Sequence, residues 1–241
     1  MDQQRLDEYL FLKGYVYSRS QAENYIKLGK VTVDGEVVKK PATKVSKNNV
    51  VMLTAEKKYV SRGGLKLESV ADSLTLNFRG KTVLDVGSST GGFTDYVLQH
   101  GAYKVVAVDV GKNQMDRRLQ QNPKIELHEQ TDIRSLKSLS TKVDYVVIDV
   151  SFISIREILK HLKTLLNTDA KIVAMVKPQF ESKDAMSKHK GVIKNESLRR
   201  KILSEFEIWA KTDYKIINKS DSKIHGEKGN RERFYLLGLI A

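Results

Sequence analysis

Cysteine is absent from the 241 residues, which excludes disulfide bonds, cysteine-ligated zinc and thiol catalysis. Histidine occurs five times, never at a spacing that pairs two of them as metal ligands, so we expect no metal site. No apolar run reaches the roughly 18 residues that a membrane span needs. Residues 1–14 are charged rather than apolar, unlike a signal peptide. We therefore expect a cytoplasmic protein that does not enter the membrane.

Positive charge is what the chain has in excess. Lysine and arginine number 42 against 29 aspartates and glutamates, which gives a formal net charge of +13. An excess of this size indicates an anionic partner, with nucleic acid as the first candidate. Hydrophobic residues make up 40% of the chain, enough for a substantial core in one large domain or in a normal domain with a small one.

The first sixty residues are predicted to form two short helices, a hairpin and a further strand. Each helix has an apolar stripe and ends at a glycine, Gly14 or Gly29. Alternating apolar residues flank Asp34-Gly35, a dipeptide typical of tight hairpin turns. We predict a small α+β domain over residues 1–58 and a linker over residues 59–63, within the polar stretch of residues 55–64 that ends in two glycines.

Residues 64–241 alternate between apolar, β-branched strands and helices. The predicted strands are residues 82–86, 104–110, 125–130, 145–150, 171–177, 214–220 and 233–240. This alternation is typical of a parallel sheet that is covered by helices on both faces. The fold expected here is therefore α/β, with a Rossmann-like, mostly parallel seven-stranded sheet.

A glycine-rich turn, VLDVGSSTGGFTD, follows the first of these strands. The strand ends near Asp85, the glycines Gly87, Gly91 and Gly92 follow, and a helix begins near Phe93. Glycines at such a turn let the backbone approach a ligand closely. The spacing differs from the dinucleotide fingerprint G-x-G-x-x-G and from the phosphate-binding P-loop.

Acidic residues stand at the ends of three successive strands. Asp109 lies about twenty residues beyond the glycine turn, where a carboxylate can bind the hydroxyls of a ribose. Asp132 is a candidate for the amino group of adenine, and Asp85 for an ammonium group. Ordinary strand-end turns are the alternative, but three such residues at the ligand-binding edge of the sheet favour a nucleoside without a pyrophosphate. S-adenosylmethionine is such a ligand.

A candidate catalytic set lies at the same edge. Asp149 ends the fourth predicted strand and Lys177 the fifth, so adjacent parallel strands would bring the two within ion-pair distance. Lys66, on the helix that leads into the domain, and Glu232, before the last strand, are weaker candidates. By position alone, most such residues are solvated surface charges. A lysine that is buried beside another cation can act as a general base on a sugar hydroxyl.

Taken together, the motifs resemble the TlyA (hemolysin A) family of ribosomal RNA 2'-O-methyltransferases over nearly the whole chain. The family combines an S4-type RNA-binding domain with an FtsJ-like methyltransferase domain. The strings that carry the resemblance are RLDEYLFLKGYVYSRSQAENYIKLGKVTVDGEVVKKP, YVSRGGLKLE, VLDVGSSTGGFTD, VVAVDVG, VVIDVSFIS, VKPQFE and GNRERF.

The resemblance implies S-adenosylmethionine-dependent methylation of a ribose, cytidine by expectation, in ribosomal RNA or ribosomal subunits. The implied catalytic tetrad is Lys66, Asp149, Lys177 and Glu232. The implied cofactor-binding residues are Asp85, Gly87, Ser88, Gly91, Gly92, Phe93, Asp109 and Asp132. The implied RNA contacts are Arg5, Ser18, Arg19, Lys27, Lys30 and Arg62. We expect a monomer that binds neither a metal nor a membrane.

Two other functions remain open at the level of sequence. A non-catalytic RNA-binding or ribosome-assembly factor could retain the methyltransferase fold, although the acidic strand ends and both lysines argue against a lost activity. A membrane-active hemolysin is the other alternative, and the lack of a spanning segment argues against it.

Overall fold

The computed structural model describes residues 3–16, 19–54, 58–181, 192–226 and 229–240. Within it the chain divides into two compact units, Met1–Lys58 and Tyr59–Ala241. Ser18, expected as an RNA contact, lies outside the described residues. Each unit has its own hydrophobic core.

The small unit packs two helices against short strands. Its elements are β1 (Gln4–Arg5), α1 (Leu6–Leu12), α2 (Arg19–Lys27), β2 (Val31–Val33), β3 (Glu36–Val37), β4 (Lys44–Val45) and β5 (Val51–Leu53). Leu6 and Leu10 of α1 are fully buried, as is Ile26 of α2, because the apolar stripes of the two helices face each other. At the β2–β3 turn, Asp34 and Gly35 adopt φ angles of +52° and +88°, which confirms the predicted hairpin.

The large unit is built on an extended sheet with helices on both faces. Its strands are β6 (Thr82–Val86), β7 (Lys104–Val108), β8 (Ile125–His128), β9 (Tyr145–Ile148), β10 (Lys171–Val176), β11 (Tyr214–Asp221) and β12 (Arg233–Leu239). Its helices are α3 (Arg62–Ala71), α4 (Gly92–Gln99), α5 (Arg117–Gln120), α6 (Ile155–Leu165), α7 (Pro178–Glu181) and α8 (Glu196–Ala210). A 3-10 turn spans Ile133–Ser135.

The described part of this sheet has seven strands in the order β11-β12-β10-β9-β6-β7-β8. Strands β6 to β10 pair in parallel, and β12 runs antiparallel to both of its neighbours. The predicted α/β fold with a mostly parallel seven-stranded sheet is confirmed.

Alternating side chains of the strands enter two separate cores. On one face Val83 packs with Leu67 of α3 and Val97 of α4. On the other face Leu84 packs with Leu159 of α6, together with side chains of α8. Each fully buried aliphatic side chain contributes about 1.5–3 kcal/mol. Since both faces are covered, the strands are continuous apolar runs, which is why they were recognisable in the sequence.

The carboxyl ends of the parallel strands lie along one edge of the sheet. Strand β7 ends at Val108 rather than at the predicted residue 110, because Asp109 turns the chain. Its Oδ1 accepts a hydrogen bond of 2.6 Å from the backbone N–H of Gly111. Local hydrogen bonds of this kind compete with the backbone hydrogen bonds between neighbouring strands. The register pairs Val176 of β10 with Arg233 of β12, so the antiparallel strand begins at this same edge.

Within the segment 59–63, part of the chain packs with the large unit. Tyr59 is 1% exposed and belongs to the core beneath α3 and α4. Helix α3 begins at Arg62. A Cβ on Gly64 would overlap the ring of Tyr59, so a glycine is needed there for the segment to turn back over the helix.

Candidate functional site

Two adjoining cavities open at the carboxyl edge in the described part of the large unit. The larger has a volume of about 490 Å³ and the smaller about 170 Å³. They share the lining residues Gly87, Ser89, Asp149 and Ser151. Gly87 has a φ of +79°, and a Cβ there would come within 2.6 Å of the carbonyl oxygen of Asp149. A glycine is therefore required where the turn after β6 passes the end of β9.

Asp109 and Asp132 both line the larger cavity. Asp109 Oδ2 accepts a hydrogen bond of 2.8 Å from the backbone N–H of Ser89, which joins the ends of β6 and β7. Asp132 Oδ2 forms an ion pair of 2.6 Å with Nη2 of Arg134, and that hydrogen bond lowers the pKa of the Asp132 carboxyl below its usual value. Both predicted nucleoside-binding carboxylates therefore line one cavity.

Asp85 lies at the smaller cavity and is fully buried. Burial raises the pKa of its carboxyl to about 7, although the hydrogen bond from Thr94 Oγ1 to Oδ2, 2.6 Å long, opposes the shift. Among the described residues, Oδ1 of Asp85 has no hydrogen-bond partner, nor does Oγ of Ser88, which lines the same cavity. Buried polar atoms without partners indicate that this cavity is shaped for a polar ligand.

The rest of the glycine turn is shaped by close backbone contacts. Gly91 has a φ of +89°, and a Cβ there would overlap Leu119. A Cβ on Gly92 would overlap Oγ of Ser61 and come within 3.0 Å of Cα of Gly63. These glycines therefore allow helix α4 to begin directly beside the start of helix α3. Phe93, the next residue, lines the smaller cavity.

Two lysine–carboxylate pairs stand at the same edge. Lys177 Nζ lies 2.6 Å from Asp149 Oδ1, and both residues line the smaller cavity. Lys66 Nζ lies 2.6 Å from Glu232 Oε2, with the two side chains 8% and 3% exposed. Val176 of β10 pairs with Arg233 of β12. Lys177 follows Val176 and Glu232 precedes Arg233, so the two lie next to each other at the ends of neighbouring strands. The four residues expected as a tetrad thus form two neutral pairs in one region.

Sequence reasoning missed a hydroxyl beside this group. Ser151 Oγ accepts a hydrogen bond of 2.8 Å from Lys177 Nζ and lines both cavities. It gives the ammonium a second neighbour beside Asp149. Ser151 could have been identified only from its position two residues after Asp149, at the end of a strand. A single serine outside a nucleophile motif is weak evidence for a function.

A buried carboxylate that was also missed fixes the next loop. Glu181 Oε1 and Oε2 accept hydrogen bonds of 2.8 Å each, from the backbone N–H of Ile155 and the hydroxyl of Ser154. Burial raises the pKa of the Glu181 carboxyl. The carboxylate therefore ties α7 to the first turn of α6 and holds the loop that carries Ser151 and Phe152. Phe152 lines the larger cavity, is 83% exposed and has a φ of +66°.

In the small unit, two of the predicted RNA contacts share one carboxylate. Asp7 is fully buried, and its oxygens lie 2.9 Å from Nε of Arg5 and 3.0 Å from Nη2 of Arg19. Although burial opposes it, the hydrogen bonds from the two arginines lower the pKa of the Asp7 carboxyl to about 2. The carboxylate therefore stays ionised and holds both partly exposed guanidinium groups.

The remaining predicted RNA contacts are spread over both units. Lys27 and Lys30 are exposed on the small unit, and Lys27 Nζ lies 3.9 Å from Glu23 Oε2. Arg62, half-buried, is the first residue of helix α3 in the large unit.

Two features are absent from the residues that the structure describes. None of the helices there is long and apolar enough to cross a membrane. No group of three or more histidine, aspartate or glutamate side chains is arranged to hold a metal ion in that part of the chain.

Comparisons with known proteins match both units. The sequence model of FtsJ-like methyltransferases matches residues 59–239, and that of S4 domains matches residues 4–51. The chain is 37% identical over 238 residues to the 16S/23S rRNA (cytidine-2'-O)-methyltransferase TlyA of Mycobacterium tuberculosis, covering 97% of this chain and 89% of the relative. It is 37% identical over 232 residues to Hemolysin A of Brachyspira hyodysenteriae, covering 95% and 97% of the two chains.

A solved structure also covers nearly the whole chain. The structure of a candidate hemolysin from Streptococcus thermophilus has a TM-score of 0.75 and 34% sequence identity, covering 99% of this chain and 89% of the other. Both the order of the two units and their folds are therefore shared with these relatives.

Proposed function

The chain belongs to the TlyA (hemolysin A) family, with an S4 domain before an FtsJ-like methyltransferase domain, and from this premise we propose that it methylates the ribose 2'-oxygen of a cytidine in ribosomal RNA. The methyl donor in this proposal is S-adenosylmethionine. The observation that carries it is the placement of the Lys177–Asp149 pair on the smaller of two adjoining cavities, with the Lys66–Glu232 pair at the same edge of the sheet.

The cavities fit the donor's two ends. Asp109 and Asp132 line the larger cavity and would hold the ribose hydroxyls and the adenine amino group. Asp85 lines the smaller cavity, where its unpartnered oxygen would accept a hydrogen bond from the amino group of the methionine moiety. Gly87 lines both cavities and lets the turn after β6 pass close to the Asp149 carbonyl at the end of β9, where the cavities join. When bound, the donor supplies an electrophilic methyl group on a sulfonium.

The chain's own residues would act on the acceptor hydroxyl. In this proposal the Lys177 ammonium first releases a proton to solvent, and the neutral amine, held in position by Asp149 and Ser151, then orients the 2'-hydroxyl and takes its proton. Glu232 holds Lys66 through their ion pair, so that a second cation lies near the developing alkoxide. Positioning of the hydroxyl by these groups would supply much of the rate acceleration.

Affinity for RNA would come from phosphate contacts. Arg5 and Arg19, held by Asp7, and the exposed Lys27 and Lys30 lie on the S4 domain. A net charge of +13 supports a polyanionic partner such as ribosomal RNA or a ribosomal subunit. The Mycobacterium tuberculosis relative is a 16S/23S rRNA (cytidine-2'-O)-methyltransferase, which supports cytidine as the acceptor.

Transfer of a labelled methyl group to ribosomal subunits tests the proposal. We expect wild-type protein to label ribosomal RNA, and Lys177→Ala to lose at least about 100-fold in rate, because general-base catalysis contributes that much. Lys142→Ala is the matched control, since Lys142 is 61% exposed and pairs only with Asp169 among the contacts described. Calorimetry should show that both variants bind S-adenosylmethionine.

Two outcomes would contradict the proposal in different ways. Full activity of Lys177→Ala would remove the assigned role of the lysine. Failure of the wild-type protein to bind S-adenosylmethionine would instead favour a non-catalytic RNA-binding factor.

A further inference from the structure

One buried arginine fixes the short segment that carries Glu232. Arg199, in the first turn of α8, is 2% exposed. Its Nε donates a hydrogen bond of 3.1 Å to the carbonyl oxygen of Arg231, the residue immediately before Glu232. Because a guanidinium is planar and donates in fixed directions, this bond holds the backbone of the segment in one place.

The same guanidinium is linked to the residue after Glu232 through a carboxylate. Nη2 of Arg199 donates a hydrogen bond of 2.6 Å to Asp221 Oδ1, and this oxygen also accepts a bond of 2.6 Å from Nε of Arg233. Nη2 of Arg231 lies 3.3 Å from Asp221 Oδ2. Both chain neighbours of Glu232 are therefore bound to the Arg199–Asp221 pair.

The Asp221 carboxylate has the charge that this arrangement needs. Burial opposes ionisation, but the hydrogen bonds from Arg233 and Arg199 lower the pKa of the Asp221 carboxyl below its usual value. Asp221 is also paired with Arg233 in the register of β11 and β12, and the backbone N–H of the following Ser222 donates a bond of 3.0 Å to the carbonyl oxygen of Glu232. Strand pairing and side-chain bonds therefore fix the same segment.

The carboxylate of Glu232 has little room to move. Its Oε2 lies 2.6 Å from Nζ of Lys66, and the Glu232 side chain is 3% exposed. Near its other oxygen, a Cβ on Gly226 would come within 2.9 Å of Oε1. A shift of the Glu232 backbone would therefore change the contact with Lys66, and a misplacement of about 1 Å at a reacting site can lower a rate about 100-fold.

We propose that Arg199 is a positioning residue for methyl transfer, which sets the place of the Glu232 carboxylate and, through it, of the Lys66 ammonium. The inference rests on the proposed function, since it assigns Arg199 to the same reaction. Arg199 is not among the described residues that line the two cavities, so its influence on the reaction passes through other residues.

The alternative is a purely structural role, because the loss of a buried, paired arginine also destabilises a fold. The two roles differ in the rate of transfer per correctly folded molecule. Single-turnover transfer of a labelled methyl group to ribosomal subunits measures that rate, at saturating S-adenosylmethionine and subunits. Calorimetry with S-adenosylmethionine gives the fraction of each protein that is competent to bind, and the rates are corrected for it.

We expect Arg199→Met to lower the corrected rate about 10-fold or more and to leave the dissociation constant of S-adenosylmethionine unchanged, since the loss is confined to the transition state. Arg199→Lys should show the same pattern, because an ammonium is a point charge that cannot donate in two fixed directions. It keeps a cation beside Asp221, so it provides the test if Arg199→Met does not fold. Arg200→Met is the matched control, since Arg200 is the next residue, its side chain is 75% exposed, and it should keep the wild-type rate.

A second comparison shows whether the effect passes through Glu232. In a Glu232→Gln background the carboxylate charge is already lost, so adding Arg199→Lys should lower the rate little further. A wild-type rate for Arg199→Lys, or an equal loss with and without Glu232→Gln, would overturn the inference while leaving the proposed function intact. A wild-type protein that transfers no methyl group would overturn both.

Discussion

Lys66 Nζ and Glu232 Oε2 are 2.6 Å apart although their residues come from opposite ends of the large unit. Lys66 lies in the first helix of that unit, and Glu232 stands immediately before its last strand. Both side chains are almost fully buried, so neither charge is well solvated without the other. The pair therefore closes the large unit at the edge where the two cavities open.

Removing one member of this pair should destabilise the protein more than removing both. Glu232→Leu leaves the Lys66 ammonium buried without its counter-charge, which should cost about 3–5 kcal/mol. The double variant Lys66→Met, Glu232→Leu should recover most of that loss and remain inactive. Urea unfolding measures the four free energies of the cycle, and methyl transfer measures activity. If the loss in the double variant equals the sum of the losses in the two single variants, the pair is not coupled.

Asp85 should make stability depend on pH. Because burial raises its folded-state pKa to about 7, above the usual value of 3.8, the folded protein retains a proton that the unfolded chain releases. The free energy of unfolding should therefore fall as pH rises from about 4 to 7, by roughly 2–4 kcal/mol for this group. Asp85→Asn should flatten that part of the profile. Urea unfolding measures the free energy of unfolding of both proteins between pH 4.5 and pH 8, about the range in which the Asp85 carboxyl titrates. A wild-type profile that rises over this range with the same slope in Asp85→Asn would contradict the assignment.

Gly92 should not tolerate a side chain. Gly92→Ala would place a Cβ against Ser61 Oγ and Gly63 Cα, which should cost about 1–3 kcal/mol of stability and weaken S-adenosylmethionine binding. Gly238→Ala is the comparison, because its Cβ would meet only Ile217 Cδ1 at 3.4 Å. Thermal unfolding and calorimetry measure both effects. Equal losses of stability and of S-adenosylmethionine affinity in the two alanine variants would mean that the close contact between the starts of α3 and α4 is not required.

Arg19 should contribute to RNA affinity through a phosphate. Arg19→Ala should weaken binding to ribosomal RNA and reduce the slope of log K against log salt by about 1, as one phosphate contact is lost. Arg79→Ala, a similar loss of charge on the exposed large-unit surface, should change the slope less. Filter binding at several salt concentrations measures the slopes. An unchanged slope for Arg19→Ala would remove this arginine from the interface.

The sheet and its edge could be predicted from the sequence because they depend on local patterns. Buried parallel strands are continuous apolar runs, and the charged residues that end them mark the edge at which ligands bind. Asp149 and Lys177 were therefore placed together from strand order alone. Lys66 and Glu232 could not be placed in this way, since their pairing depends on how the first helix and the last strand meet across the fold. Position made them weak candidates, and only the family resemblance raised them above that.

The missed residues share a physical reason. Ser151 and Glu181 act through tertiary hydrogen bonds, and an isolated serine or glutamate carries no periodic signal.

Mapping of ribose methylation in ribosomal RNA tests the central claim most directly. RNA from cells that carry the wild-type gene, from cells that lack it, and from cells complemented with Lys177→Ala or Lys142→Ala would be compared nucleotide by nucleotide. The account predicts at least one 2'-O-methylated cytidine that is lost with the gene, returns with Lys142→Ala, and does not return with Lys177→Ala. An identical methylation map in the presence and absence of the gene would contradict it.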